Sequence, residues 1–351
     1  MLSLRRLSFS QMYGLLFALL IVAVILSAAV GAFMFTPAHM LKYLQQAAGT
    51  LPPTPDDVLD RNVFLRLRLP RVILCGFTGA ALGASGALMQ GLFRNPIVEP
   101  GLTGTSAGAA LGAAMVFVLG GLPAFALTNT LGALAVPVCA FAGALLATLL
   151  AFRLSFSLGK VNVFALLLAG MAINAVCNAG TGFLSFIARD PQARNITFWN
   201  LGTFTTAEWH GALLVALIFT VSFSAAMRYR KFLNALMLGE DEAAYLGFNM
   251  RRRFLAIILL NTLMVASATA LVGVIAFVGL IVPHILRIVR SSDYMFLLPA
   301  AALLGAALME LVDVVARLVI TPAELPVGII TAIVGAPVFL FILNRGKSLA
   351  P

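Results

Sequence analysis

The sequence predicts an all-α, polytopic membrane protein, and three observations predict it. The 351 residues are 61% hydrophobic and only 10% charged, with a mean hydropathy of +1.03, whereas soluble domains carry about 25% charged residues. Apolar runs of about 20 residues, the length that spans a bilayer as a helix, recur from end to end. The basic residues gather in short segments between those runs, as the positive-inside rule requires. The net charge of +10 therefore reads as a topology signal, with membrane lipid and not nucleic acid as the surrounding partner.

About ten helices are expected, over 13–35, 69–92, 101–121, 131–152, 163–187, 208–228, 254–275, 276–290, 297–320 and 326–344. The first run, Gly14 to Phe35, is longer than the apolar core of a signal peptide and no processing site follows it, so it reads as a retained helix. Segments 101–121 and 276–290 are short or rich in Gly and Pro, which suits helices that are tilted or shielded by protein. In the first of these, Gly101, Gly104, Gly108 and Gly112 recur at near four-residue spacing and predict close helix packing. Cys75, Cys139 and Cys177 all fall inside apolar runs, as small buried side chains without a disulfide or metal pattern.

Arg5 and Arg6 precede the first helix. Counting crossings from there puts Arg94, Arg153 with Lys160, Arg228 through Lys231, Arg251 through Arg253, Arg287 with Arg290, and Arg345 with Lys347 on one side. That side is the cytoplasm, and both termini lie in it. The opposite connections, 36–68, 188–207 and 321–325, read as loops. Arg61, Arg66, Arg68 and Arg71 cluster there against the rule and need a separate reason. Residues 1–351 read as one transmembrane domain with a cytoplasmic segment at 238–250.

That segment, LGEDEAAYLGFNMRRR (Leu238 to Arg253), is charged and bracketed by glycines within an apolar chain. Gly239 suits an N-cap, and Glu240, Asp241 and Glu242 fill a first turn where the helix dipole favours acids. Gly247 suits the residue that ends the helix. A helix of about two turns does not hold by itself in water, so it must dock. Leu238, Ala243 and Leu246 are expected to face a partner. Without further context it reads first as an ordinary capped loop helix.

On the fifth helix Asn174, Asn178, Thr181 and Ser185 share a face. They suit either a polar translocation path or interhelical hydrogen bonding. Glu310, Asp313 and Arg317 share a face of the ninth helix, where intramembrane acids draw attention by default. His284 reads as structural, and His39 and His210 have no partner pattern, so neither a metal nor a haem site is expected. Gly346-Lys347-Ser348 has the closing letters of a phosphate-binding loop, but its first required glycine would fall at Phe341. The chain is therefore not expected to hydrolyse ATP.

Four stretches together resemble the permease subunits of type II ABC importers, which take up iron-siderophores, haem and cobalamin. They are RLPRVILCGFTGAALGASGALMQGLFRNPIVEPGLTGTSAGAALG (Arg68 to Gly112), LGEDEAAYLGFN, GVIAFVGLIVPHILRIV (Gly273 to Val289) and ELPVGIITAIVGAPVFLFIL (Glu324 to Leu343). The resemblance implies a homodimer in the bacterial inner membrane with a path at the dimer axis. It implies a dimer of separate ATPase subunits using ATP and Mg inside, a periplasmic substrate-binding protein outside, and no permanently bound cofactor. It makes Gly239, Glu240, Asp241, Glu242, Leu246 and Gly247 the ATPase-coupling segment. It makes Arg68, Arg71 and Arg317 binding-protein docking residues, with headgroup contact or an Arg317–Asp313 pair as the plainer alternative. It puts the fifth helix on the path. The family has an apolar residue at the position of Glu310, which is left as a partner for Arg317 or a path charge. The run DPQARNITFWNLGTFTTAEW (Asp190 to Trp209) looks most like haem importers, with iron-siderophore second and cobalamin third. An ion-coupled secondary transporter is the rival class, with Glu310 and Asp313 its only candidate carboxylates.

Overall fold

The computed structural model describes residues 8–52, 54–121, 130–157, 160–161 and 163–347, which are almost entirely helical. Arg5, Arg6 and Ser348 lie outside the described residues. Helix α1 (Phe9–Ala29) starts at a capping box in which Ser8 and Gln11 exchange hydrogen bonds. Next come α2 (Pro37–Ala47), α3 (Val58–Asn62), α4 (Leu69–Leu92), α5 (Thr105–Leu119) and α6 (Ala135–Leu154). Two short antiparallel strands, β1 (Phe156–Ser157) and β2 (Lys160–Val161), lead to α7 (Val163–Ile187) and α8 (Asp190–Asn200). The rest is α9 (Trp209–Ala226), α10 (Arg230–Leu238), α11 (Glu240–Tyr245), α12 (Met250–Val272), α13 (Val278–Val289), α14 (Tyr294–Leu318) and α15 (Val327–Lys347). Among the described residues seven helices are long and apolar enough to cross a membrane, and three shorter apolar helices accompany them.

Two local expectations are corrected. Segment 36–68 is not a loop: Thr36 caps α2, with Pro37 in its first turn. Tyr43 then buries against Phe35 and Phe64. Lys42 and Thr54 engage Asp57 and hold its carboxyl below the usual carboxylate range. The chain from Val58 winds through a π-helical turn, Val63–Arg68, straight into α4, so the arginine cluster sits on a helix. Segment 188–207 contains α8, which opens with Pro191 in its first turn. These helices are too short or too polar to register as apolar runs.

The body of the fold is the antiparallel pair α4 and α14, the most extensive helix contact in the chain. Nearly all of α4 is buried, although much of it is Gly, Ala and Ser. Small residues allow that closeness. A Cβ on Gly79 would collide with the Gly305 carbonyl, one on Gly305 with the Gly79 carbonyl, and one on Gly83 with the Ala301 carbonyl. The pair α5 and α6 repeats the device, Gly108 facing Gly143 and Gly112 facing Cys139. Gly108 and Gly112 thus do what their spacing predicted. Gly104, at φ 93°, instead turns the chain between a short 3-10 helix and α5.

The short helices are shielded by protein. The chain before α5 returns to the bundle, where Glu99 accepts the Phe277 N–H (3.0 Å) at the start of α13. Pro100 packs there on Gly279. We predict that Gly79→Val lowers thermal stability in detergent by about 1–3 kcal/mol through overpacking. Gly14, which has open space around it, should tolerate Val without change. Equal melting of the two variants would contradict the tight α4–α14 contact.

Candidate functional sites at the two ends of the bundle

At the end opposite the basic loops, three arginines converge. Arg71, on the first turn of α4, donates through Nε to Asp313 Oδ2 (3.1 Å) and through Nη2 to Asp313 Oδ1 (2.8 Å). Its Nη1 reaches Glu324 Oε1 (2.9 Å), and Nη2 lies 2.8 Å from Glu324 Oε2. Arg317 pairs with the same Asp313 one turn away (Nε to Oδ2, 3.0 Å). Asp313 is fully buried, so one carboxylate is shared by two cations where unpaired charge would be costly.

Arg68 and Arg317 also close the end of α1. Arg68 donates to the carbonyls of Val30 (2.7 Å) and Phe33 (3.1 Å). Arg317 donates to the carbonyls of Val30 (2.6 Å) and Ser27 (3.0 Å). A helix C-terminus presents unsatisfied carbonyls and partial negative charge, which cations satisfy. The expected Arg317–Asp313 pair is therefore present. So is a basic cavity of about 260 Å³, lined by Arg68, Arg71, Arg317, Glu324, Phe204 and Thr205 among others. Sequence reading found the arginines and missed Glu324 as their partner. The residue stood in the quoted ELPVG stretch, but 253 positions separate it from Arg71.

Glu310 is neither Arg317's partner nor part of that cavity lining. It is fully buried, and neither carboxyl oxygen makes a hydrogen bond of good geometry among the described residues.

At the basic end lies the charged segment. Gly239 adopts φ 152°, ψ 161°, a region essentially confined to glycine. This sharp break separates α10 from α11. Gly247, at φ 83°, ends α11 in a Schellman motif: Gly247 N donates to Ala244 O (2.9 Å) and Phe248 N to Ala243 O (3.3 Å). Phe248 then packs on Phe232, and Arg253 lies over both Phe248 and Tyr229. Arg94 pairs with Glu240 (3.0 Å). Ala243 was expected to face a partner, but it is fully buried. The apolar groups presented outward are Leu238, Tyr245 and Leu246, exposed by 74%, 89% and 63%. The correction is geometric: in a six-residue helix lying on α10 and α12, one small side chain must face inward. Asp241 and Glu242 are exposed.

This segment is fastened to the body. Asn234 of α10 donates to Asp293 (2.7 Å) and accepts from Tyr294 N (2.8 Å) at the start of α14. The Tyr294 hydroxyl accepts from Arg287 (3.1 Å), whose guanidinium also reaches Gln90 of α4. No pattern in the sequence announced these links, because they join four distant elements.

The polar stripe of α7 divides. Asn174 is half-buried and donates to the Gly101 carbonyl (3.3 Å), and Thr181 is buried on the Cys177 carbonyl (2.9 Å). Ser185 is half-buried and Asn178 is exposed. Met171, Val176, Phe183 and Phe186 are exposed on the same helix. His39 and His210 are exposed, His284 is half-buried, and no metal-binding cluster of His, Cys, Asp or Glu occurs among the described residues.

Replacing Glu310 with Met should raise thermal stability by about 1–3 kcal/mol, since it removes, at similar volume, a buried carboxyl that Ser27 and the Gly76 backbone approach without good hydrogen-bond geometry. A lower melting temperature for Glu310→Met would show that the carboxyl has a partner in the working protein.

Residues 19–345 match the FecCD transport family. The chain is 39% identical over 336 residues to the hemin transport system permease protein HmuU of Yersinia pestis, covering 96% of each. It is 39% identical over 284 residues to the vitamin B12 import system permease protein BtuC of Citrobacter koseri, covering 80% of this chain and 83% of that one. Among solved structures it resembles an inward-facing metal-chelate type ABC transporter, with a TM-score of 0.80 and 31% identity over 96% of this chain and 99% of that one. By these matches and its almost entirely helical architecture, the chain belongs to the FecCD transport family, as the multi-pass inner-membrane permease of a type II ABC importer.

Proposed function

We propose that this permease imports haem, working as a homodimer that alternates between outward- and inward-open states. A dimer of soluble ATPase subunits, using ATP and Mg, drives it from the cytoplasm, and a periplasmic binding protein delivers the substrate. No cofactor is held permanently. The observation that carries the choice of haem is likeness to a hemin permease over 96% of both chains, against 80% coverage for the cobalamin permease. The Asp190–Trp209 run supports the same choice. Cobalamin and iron-siderophore are the competing substrates on the same machinery, since identity to the cobalamin permease is also 39%.

Each part of the site has a role in this reading. Leu238, Tyr245 and Leu246 form the apolar knob that enters a groove on the ATPase, with Glu240, Asp241 and Glu242 beside it. Gly239 and Gly247 shape the knob. Arg68, Arg71 and Arg317 attract carboxylates of the binding protein, and such charge complementarity steers and orients docking. Asn174, Asn178, Thr181 and Ser185 line the path on α7. A weakly polar wall suits a large substrate that must also leave. An ion-coupled carrier would need a carboxylate free to load and release a cation; Asp313 is committed to two arginines, which leaves the fully buried Glu310 as the one candidate for that class.

The test is uptake into proteoliposomes containing the permease and its ATPase, with binding protein outside. Haem should enter only with ATP, and equimolar cobalamin or ferric siderophore should not compete. Cobalamin uptake without haem uptake would reassign the substrate. Uptake driven by a proton gradient without ATP would contradict the importer. Leu246→Asp should cut haem uptake by about tenfold or more, as loss of an interface hot spot does, at unchanged thermal stability.

A further inference from the structure

The arginine cavity already holds an acid, and its placement has a consequence for docking. Arg71 spends its donors on two carboxylates. Asp313, fully buried, takes Nε and Nη2 and is itself tied to Arg317. Glu324 takes Nη1 and the remaining reach of Nη2. Its side chain is 29% exposed and lines the cavity. These contacts engage four of the five N–H donors of Arg71, and a carboxylate arriving from outside finds one Nη1 N–H uncommitted. It can grip the guanidinium with both oxygens only by replacing one of the two, and Asp313 is also the ion-pair partner of the buried Arg317.

We infer that Glu324 is a displaceable internal ligand of the docking cavity, holding the place of a partner's carboxylate until a binding protein arrives. The inference rests on the docking role proposed above for Arg68, Arg71 and Arg317. Docking is then an exchange: an acidic side chain of the partner takes Nη1 and Nη2 of Arg71, and Glu324 turns outward. The exchange keeps the number of charge-assisted bonds to Arg71 constant. It makes docking readily reversible, because Glu324 competes at a very high local concentration.

The exchange also carries a signal. Glu324 stands at the entrance to α15, and the backbone just after it is pinned to the α8–α9 connection. Val327 N donates to Gly202 O (3.0 Å) and Gly328 N to Leu201 O (2.9 Å). Leu325 N donates to Ala316 O of α14 (3.0 Å). Release of Glu324 loosens one of the ties that hold this end of α15, next to the α8–α9 connection whose Phe204 and Thr205 line the cavity.

The experiment uses the full chain in nanodiscs and the binding protein of the same importer, with affinity read by surface plasmon resonance at low and high salt. Wild-type docking should weaken as salt rises, because screening removes part of the attraction. Glu324→Gln, which keeps the shape and leaves Arg71 its Asp313, should tighten docking by about tenfold or more, the scale of one close charge pair. Glu324→Asp, which keeps the charge, should stay near wild type. Unchanged or weaker docking of Glu324→Gln, or equal tightening by Glu324→Asp, overturns the exchange. Salt-independent docking overturns the arginine docking role itself, whatever the Glu324 variants do.

Discussion

The close antiparallel contact of α4 and α14 is the constraint on which the rest of the structure depends. Water is absent from a bilayer interior, so helices there associate through packing and internal hydrogen bonds. Gly79, Gly83 and Gly305 let the two backbones approach until side chains would collide. From Arg71 to Gln90 α4 rises about 28 Å, close to the thickness of the hydrocarbon core. On α14 the stretch from Tyr294 to Asp313 is equally long. The pair therefore carries a polar cluster at each end and, apart from Glu310 one turn before Asp313, mostly small and apolar residues between.

Those two clusters give the pair its mechanical meaning. At one end Arg71, Asp313 and Arg317 join α4 to α14, and Arg317 with Arg68 gathers in the end of α1. At the other, Gln90, Arg287, Tyr294 and Asn234 join α4, α13, α14 and α10. Helix α11 rides on α10 through a glycine break and a Schellman turn, so its position is fixed by backbone geometry. A displacement imposed on α11 meets a fastened chain of hydrogen bonds and then a tightly packed pair. In the proposed reading, that is how a soluble motor at one face moves the opposite face.

Much of this was legible in the sequence, for definite reasons. The apolar runs announced the long helices because a bilayer demands their length. The glycine brackets announced α11 because φ 152° and φ 83° are costly for other residues. The arginines stood out because they broke the charge rule. What stayed hidden was long-range pairing: Arg71 with Asp313 and Glu324, or Asn234 with Asp293, leaves no local pattern. The amphipathic α2 and the polar α8 read as loops in the sequence, since hydropathy does not mark helices that lie outside the apolar runs. Ala243 was placed on the wrong face because two turns of helix contain too few residues to define one.

In the proposed reading, α11 is the contact through which a soluble ATPase moves this permease. The most direct test of that role is cysteine cross-linking from Tyr245→Cys, the most exposed large apolar side chain of the segment, in membranes containing the assembled importer. The account predicts a cross-link to the ATPase whose yield changes between nucleotide-free and ATP-bound states. Labelling of that cysteine by a membrane-impermeant thiol reagent from the periplasmic face, with no cross-link to a second polypeptide during turnover, would contradict it.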